Sequence, residues 1–364
     1  MLAFLLTIFF SVVLVIGFVV LSGYFWHWYY YAPTCQDETY YFTTKDGWRL
    51  AAHHYRPSGE PSGLPVILCH GLSSNRYAFD LPGAPSLARF LKSKGRDVWS
   101  VELRGSGMSD RSRLLFSDVP YNWEFEEHLL EDAPAVIDFV LSRTGASKAH
   151  WVGHSMGGML ILAHLSRNPH AAISSAVTVG SPVNFLNMRT RQIGFLLKIT
   201  PLFDWLPISP LPFFGRLMIP VVHRMPKPLL GIFNLPNIAP DIARKTVVLC
   251  AELITSNRIW LTFGRYIDTG AFAPENSRPY LDGLAEANAS ILFIGGSKDA
   301  MAPDCVDPDI CTPENAAGPR KTLIAGTESG FMCDYGHMDL LVGNASETEI
   351  FPTILAWLLE NDPQ

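Results

Sequence analysis

The stretch Gly153-His154-Ser155-Met156-Gly157, inside "HWVGHSMGGML" at residues 150–160, constrains the chain more than any other. It matches G-x-S-x-G and stands between a short apolar run and a helix-like one. At such a strand-to-helix turn the serine backbone is strained and its hydroxyl is lifted clear of a sheet. Glycines flank it because side chains there would collide with the neighbouring strand and helix. The same turn sets the Met156 N–H at a helix amino terminus, where it can stabilise a developing oxyanion.

The flanking sequence supplies the sheet that this turn needs. "TYYFTT" (39–44), Asp46-Gly47 and "WRLAAHHY" (48–55) read as a hairpin. Strand-like "PVILCHG" (65–71), "DVWSVEL" (97–103), "HWVGH" (150–154) and "SSAVTVGS" (174–181) then alternate with helical stretches at 85–95, 125–145 and from Met156. Pro134 should kink or restart the helix over 125–145. This alternation predicts an α/β fold with a mostly parallel sheet covered on both faces. It stops from about residue 184 to 287 and resumes with "SILFIGGSKD" (290–299) and "KTLIAG" (321–326). The expected organisation is therefore a core at 39–183 and 288–364 interrupted by a helical cap insertion at 184–287. At 364 residues, 48% of them hydrophobic, the chain is long enough for one core with a large insertion.

Residues 1–22 carry no charge, and about 20 apolar residues at 1.5 Å rise span the hydrocarbon core of a bilayer. Residues 1–23 read as a transmembrane anchor. The aromatic stretch "YFWHWYY" opens a linker over 24–38 and resembles an interfacial belt. A cleaved signal peptide is the alternative, although a basic n-region and a small-residue cleavage site are not clear. A membrane is thus an expected partner, with its side left open because the first basic residue is Lys45. The net charge of −6, with Lys and Arg scattered, excludes a nucleic-acid-binding stripe. The 6 cysteines contain no C-x-x-C pair. Cys305 could bridge Cys311, or either could bridge Cys333, or all could be free thiols.

A serine hydroxyl needs a base, and the base needs a partner that fixes its tautomer. Of the 11 histidines only His337 lies beyond His223, after the last expected strand. Asp299 follows "ILFIGG" and is the expected acid, with Asp304 a less well-placed substitute and Asp339 suited to orienting the histidine loop. A second oxyanion donor should come from the loop after "PVILC", where the Leu72 N–H is placed. His70 reads as a loop-packing residue, and His53 and His54, adjacent on a strand, must point to opposite faces rather than share a metal.

With these residues assembled, the stretch from about 39 to 360 resembles an α/β-hydrolase, and in detail the acid-lipase and monoacylglycerol-lipase-like branches. "DVWSVELRGSGMSDRS" is similar to the segment after strand four in both. "YNWEFEEHLLEDAPAVIDFVLSRTG" is similar to the acid-lipase helix before the elbow, and His337-Met338-Asp339 to the His-x-Asp near its end. The elbow departs from the acid-lipase pattern in carrying Met156-Gly157-Gly158 in place of Gln-Gly. The resemblance implies Ser155 as nucleophile, Asp299 as acid, His337 as base and Leu72 with Met156 as oxyanion donors. It implies no metal or organic cofactor.

The expected function is a membrane-anchored serine hydrolase acting on a small-molecule or lipid ester. Thioester hydrolysis, acyl transfer and a non-catalytic tethered binding module are the alternatives. A serine at the elbow separates the chain from dehalogenase and epoxide-hydrolase variants of the fold, which carry aspartate there. Residues 201–240 hold nine prolines and four charged residues, which forbids long helices and suits an acyl-chain pocket or a membrane-resting cap. Asn288-Ala289-Ser290 and Asn344-Ala345-Ser346 match glycosylation acceptors.

Overall fold

A computed structural model describes residues 2–110, 122–187, 219, 231–252 and 255–363. Eight strands form one sheet in the order β1-β2-β4-β3-β5-β6-β7-β8. They are β1 (Glu38–Thr43), β2 (Arg49–Tyr55), β3 (Val66–Cys69), β4 (Val98–Glu102), β5 (Ala149–His154), β6 (Ile173–Val179), β7 (Ser290–Gly296) and β8 (Arg320–Ala325). The hairpin β1–β2 is antiparallel and joins β4 antiparallel, whereas all pairs from β4 to β8 are parallel. From β3 the chain goes to β4 on one side and later to β5 on the other, so the order reverses at β3. In an open α/β sheet such a reversal leaves a crevice at the carboxyl ends of the strands.

Successive strand side chains point to opposite faces, and here both faces are covered. Ile67, Trp151, Ala176, Ile291 and Phe293 belong to one core cluster, while Val66, Leu68, Val152, Val177, Leu292 and Ile294 belong to the other. Each fully buried Val, Leu, Ile or Phe among them contributes about 1.5–3 kcal/mol relative to exposure. Two filled cores make the sheet a rigid base for the loops at its edge.

The helices follow from local sequence. Helix α1 (Leu2–Tyr30) contains the apolar span Phe9–Tyr30, of 22 residues and mean hydropathy 2.2, which is long and apolar enough to cross a membrane. It continues through Tyr30, past Gly23 where sequence placed the end of the span, because an interfacial aromatic belt is compatible with unbroken helix. Ser86 caps α2 (Leu87–Ser93) by accepting the Arg89 N–H. The long helix expected over 125–145 is α3 (Phe125–Glu127), a π turn at His128–Asp132, and α4 (Ala133–Thr144). Pro134 lacks an N–H and its ring would strike the Leu130 carbonyl, so the ladder widens to a π turn just before it. Helix α5 (Met156–Arg167) follows the elbow, and α8 (Ser346–Glu360) closes the chain.

Among the described residues between β6 and β7 there is α6 (Pro240–Lys245), a π turn at Thr246–Cys250 and α7 (Asn257–Thr269), with no strand in the sheet. The proline-rich stretch 201–240 lies largely outside the described residues. All six cysteine thiols are free, Cys305, Cys311 and Cys333 included.

Candidate active site

Ser155 stands between the last residue of β5 and the first of α5, with φ 53° and ψ −119°. A non-glycine residue at positive φ outside the left-handed helical well is strained by about 1–3 kcal/mol, and surrounding structure must hold it. Here the Ser155 N–H donates to the Val179 carbonyl of β6 (2.9 Å), while its own carbonyl accepts the Gly158 and Met159 N–H groups. The glycines follow from close packing. A Cβ on Gly153 would lie 2.3 Å from the Gly157 backbone, and one on Gly157 would lie 2.2 Å from the Cys69 carbonyl oxygen. The elbow is thus wedged against the end of β3.

Beyond β3, a Cβ on Gly71 would come 2.9 Å from the Ser155 Cβ, so this loop borders the serine directly. Leu72 is half-buried on it and packs against the first core cluster, and Ser73 takes φ 49°. His70 directs Nδ1–H to the Gly71 carbonyl (2.8 Å) and accepts the Leu103 N–H on Nε2 (3.2 Å). Burial lowers its pKa to about 4. With both nitrogens occupied and the ring neutral, His70 braces the loop. Met156 is the first residue of α5, whose early N–H groups have no partner within the helix.

Asp299 and His337 reach the same edge from loops after β7 and β8. His337 Nδ1–H donates to Asp299 Oδ2 at 2.9 Å, and the Asp299 carboxylate is fully buried. Asp299 Oδ1 accepts the Met301 and Ala302 N–H groups, both at 2.8 Å. Those two donors fix the orientation of the carboxylate. Gly180, just past β6, has φ 57°, and a Cβ on it would lie 3.1 Å from both Asp299 Oδ2 and His337 Nδ1. Asp304 sits elsewhere: it accepts the Asn187 N–H (2.7 Å) and has no bond to His337 among those described.

Asp339 pins the loop that carries His337. It accepts the Asn234 and Gly336 N–H groups at 3.0 and 2.8 Å and the Asn237 amide at 3.1 Å. Burial raises its pKa despite these donors. His154, the variable residue of the elbow, also touches the loop. Its ring lies 4.7 Å from that of His337, and its Nε2–H donates to the His337 carbonyl at 3.3 Å. Burial, then the neighbouring His337, keeps His154 neutral. Sequence places His154 at the variable position of the elbow but does not give its contact with the His337 loop, and it gives no part in this edge to Gly180, Asn234 or Asn237. A glycine directly after a strand, as in "VTVGS", is the one local signal that was present.

Comparison with known proteins agrees with this architecture. A family model described as alpha/beta hydrolase fold matches residues 65–199. The chain is 34% identical to gastric triacylglycerol lipase of Homo sapiens over 145 residues, covering 37% of this chain and 36% of that lipase. It is 38% identical to Lipase 1 of Drosophila melanogaster over 125 residues, covering 34% of this chain and 28% of that protein. The matched region therefore spans only 28% and 36% of the length of these two relatives. Among solved structures, a soluble variant of monoglyceride lipase from Saccharomyces cerevisiae aligns with a TM-score of 0.61 at 16% identity, covering 91% of this chain and 97% of that one. The monoacylglycerol lipase of Paleococcus ferrophilus gives 0.55 at 17% identity, covering 86% and 99%. The fold of the chain is the α/β-hydrolase fold, and the chain resembles the lipases and esterases built on it.

Proposed function

We propose that the chain is a membrane-anchored serine hydrolase of carboxylic esters, with lipid or other apolar acyl esters as substrates. The observation that carries this reading is the 2.9 Å bond between His337 and the buried Asp299, set at the same sheet edge as a serine held at φ 53°. The lipase relatives support the same class of reaction.

In the proposed mechanism Asp299 holds the Nδ1–H tautomer of His337, leaving Nε2 to take the proton from Ser155 as its oxygen attacks the ester carbonyl. The Leu72 and Met156 N–H groups stabilise the tetrahedral oxyanion, a contribution that is commonly the largest single electrostatic one. His337 then protonates the departing alcohol, and water activated by the same base releases the acid. The 184–287 insertion would form the acyl-chain wall as a cap, and α1 would cross the bilayer. A fluorophosphonate probe should label the wild-type chain at Ser155 and leave Ser155→Ala unlabelled. Absence of labelling in folded wild-type protein would exclude the reading.

A further inference from the structure

The C-terminal end of α1 is docked on the hydrolase core, at the same edge as Ser155. Gly23, Trp26 and Tyr30 recur at helical spacing on one face; Gly23 and Tyr30 are buried and Trp26 is half-buried. Helix α1 meets the π turn Thr246–Cys250, and Trp26 and Tyr30 join the second core cluster, to which Val248, Leu249 and Cys250 also belong. Tyr24, Phe25, Trp28, Tyr29 and Tyr31 instead remain exposed, as residues facing lipid headgroups would be.

The chain leaving the helix is clamped as well. Tyr77 Oη–H donates to the Ala32 carbonyl (2.8 Å), Arg76 Nε–H donates to Thr34 Oγ1 (3.1 Å), and Asp80 accepts the Cys35 N–H. Residues 76–80 continue directly from the loop that borders Ser155. The π turn belongs to the same cluster, since the Ser73 carbonyl accepts the Glu252 N–H (2.8 Å) and the Asn75 amide donates to the Leu249 carbonyl (2.9 Å). An unbroken series of contacts therefore runs from the interfacial aromatics of α1 through residues 246–252 and 71–80 to the serine.

We infer that α1 is a bracket: its docked last turns hold the catalytic edge against the lipid bilayer in one orientation, so that an ester is taken up from the membrane itself. This rests on the reading of the chain as a membrane-anchored hydrolase. A flexible tether would supply only local concentration, whereas a bracket also fixes orientation, and both raise the rate on a bilayer substrate.

The test uses the full chain in phosphatidylcholine vesicles, with p-nitrophenyl palmitate dissolved in the bilayer and p-nitrophenyl acetate in the water. One variant, Trp26→Ala with Tyr30→Ala, removes the docking face. A second combines Tyr77→Phe with a Gly/Ser insertion after Tyr31, which frees the clamp while leaving the buried aromatics in place. A control exchanges residues 2–21 for an unrelated apolar span. The bracket requires both undocked variants to lose about ten-fold on palmitate while acetate turnover, fluorophosphonate labelling and retention after alkaline carbonate are kept, a loss expected from orientation alone. The control should match wild type on both esters. Undocked variants that keep full palmitate turnover would reduce α1 to a tether and overturn the bracket. Release of the wild-type chain by carbonate, or its failure to react with fluorophosphonate, would overturn the underlying reading and the bracket together.

Discussion

Two histidine–carboxylate pairs of nearly equal length have opposite settings. His337 and Asp299 meet at 2.9 Å on loops at the carboxyl edge of the sheet, beside the serine elbow. His53 and Glu102 meet at 2.8 Å between β2 and β4, both side chains fully buried. Every polar atom of the second pair is committed. His53 Nδ1 is hydrogen-bonded to the Thr39 hydroxyl, and Glu102 takes the Arg76 guanidinium at 2.9 Å and the Met108 N–H at 2.6 Å. Burial pushes the Glu102 carboxyl up, but His53, the Arg76 charge and these donors outweigh it and hold its pKa far below the usual carboxylate range. His54, His128 and His150 also pair with carboxylates. Pairing alone therefore does not mark a catalytic histidine; the role proposed for His337 rests on the serine elbow and the strand ends beside it.

The difference is sharpest in turnover. Ser155→Ala or His337→Ala should lower kcat by at least about 10³-fold with Tm shifted by less than about 2 °C, because the proposed mechanism makes these groups nucleophile and base. Steady-state kinetics beside a thermal melt checks both halves. A similar loss of kcat in correctly folded His53→Asn protein would erase the contrast between the pairs.

Asp299→Asn should follow, with kcat down by about 10²- to 10⁴-fold, since an amide favours the wrong tautomer of His337. Asp304→Asn should retain near-normal turnover because its carboxylate holds the Asn187 N–H instead. The reverse pattern, with Asp304 essential and Asp299 dispensable, would move the acid to the other loop.

Glu102→Gln should be a stability variant. Removing one partner from a buried charge cluster costs about 3–5 kcal/mol, mostly because Arg76 is left uncompensated. Chemical denaturation should show that loss, while kcat per active site titrated with fluorophosphonate stays within about two-fold, since among the described bonds Glu102 makes none to Ser155, Asp299 or His337. An unchanged unfolding midpoint would mean that the cluster relaxes and that its contacts contribute little.

How far these features were legible depended on sequence distance. The elbow is contiguous, and its glycines, apolar strand and helix each point to one local structure, so its turn could be read from residues 150–160. The strands β3 to β8 were visible because buried parallel strands are short apolar runs bounded by turns. His337 and Asp299 could be nominated from their places after strands, although nothing in their spacing gives the 2.9 Å contact. The bond from His154 to the His337 carbonyl joins residues 183 apart, and Asp339 meets Asn237 across 102. Such contacts arise only when loops converge on a folded sheet. The docking of α1 was hidden for another reason: Trp and Tyr suit a membrane interface and a protein interface equally, so composition could not divide "YFWHWYY" between them.

The smallest effect is the pH dependence of stability around the loop beside Ser155. His70 is buried and neutral with its pKa near 4, and His154 and His150 are also held below the ordinary histidine value by burial. In the unfolded chain these groups take up protons near pH 6.5, so between that value and their folded pKa the unfolded state binds more protons. Their contribution to stability is complete above about pH 6.5 and declines as pH falls, by up to about 1.4 kcal/mol per pH unit for each fully shifted group. The depressed carboxylates Glu102 and Asp132 act lower. Both are held ionised against burial, chiefly by His53 and by His128 respectively, so their contribution is present above about pH 4.5 and disappears only as pH falls toward their folded values. Unfolding measured from pH 7.5 to 5 should therefore lose stability at the buried histidines, and His70→Asn, which can keep one donor and one acceptor, should flatten that slope. Glu102→Gln should lower the whole curve over this range without changing its slope. A slope that disappears in Glu102→Gln and persists in His70→Asn would assign the acid sensitivity to the His53 cluster and away from the loop beside Ser155.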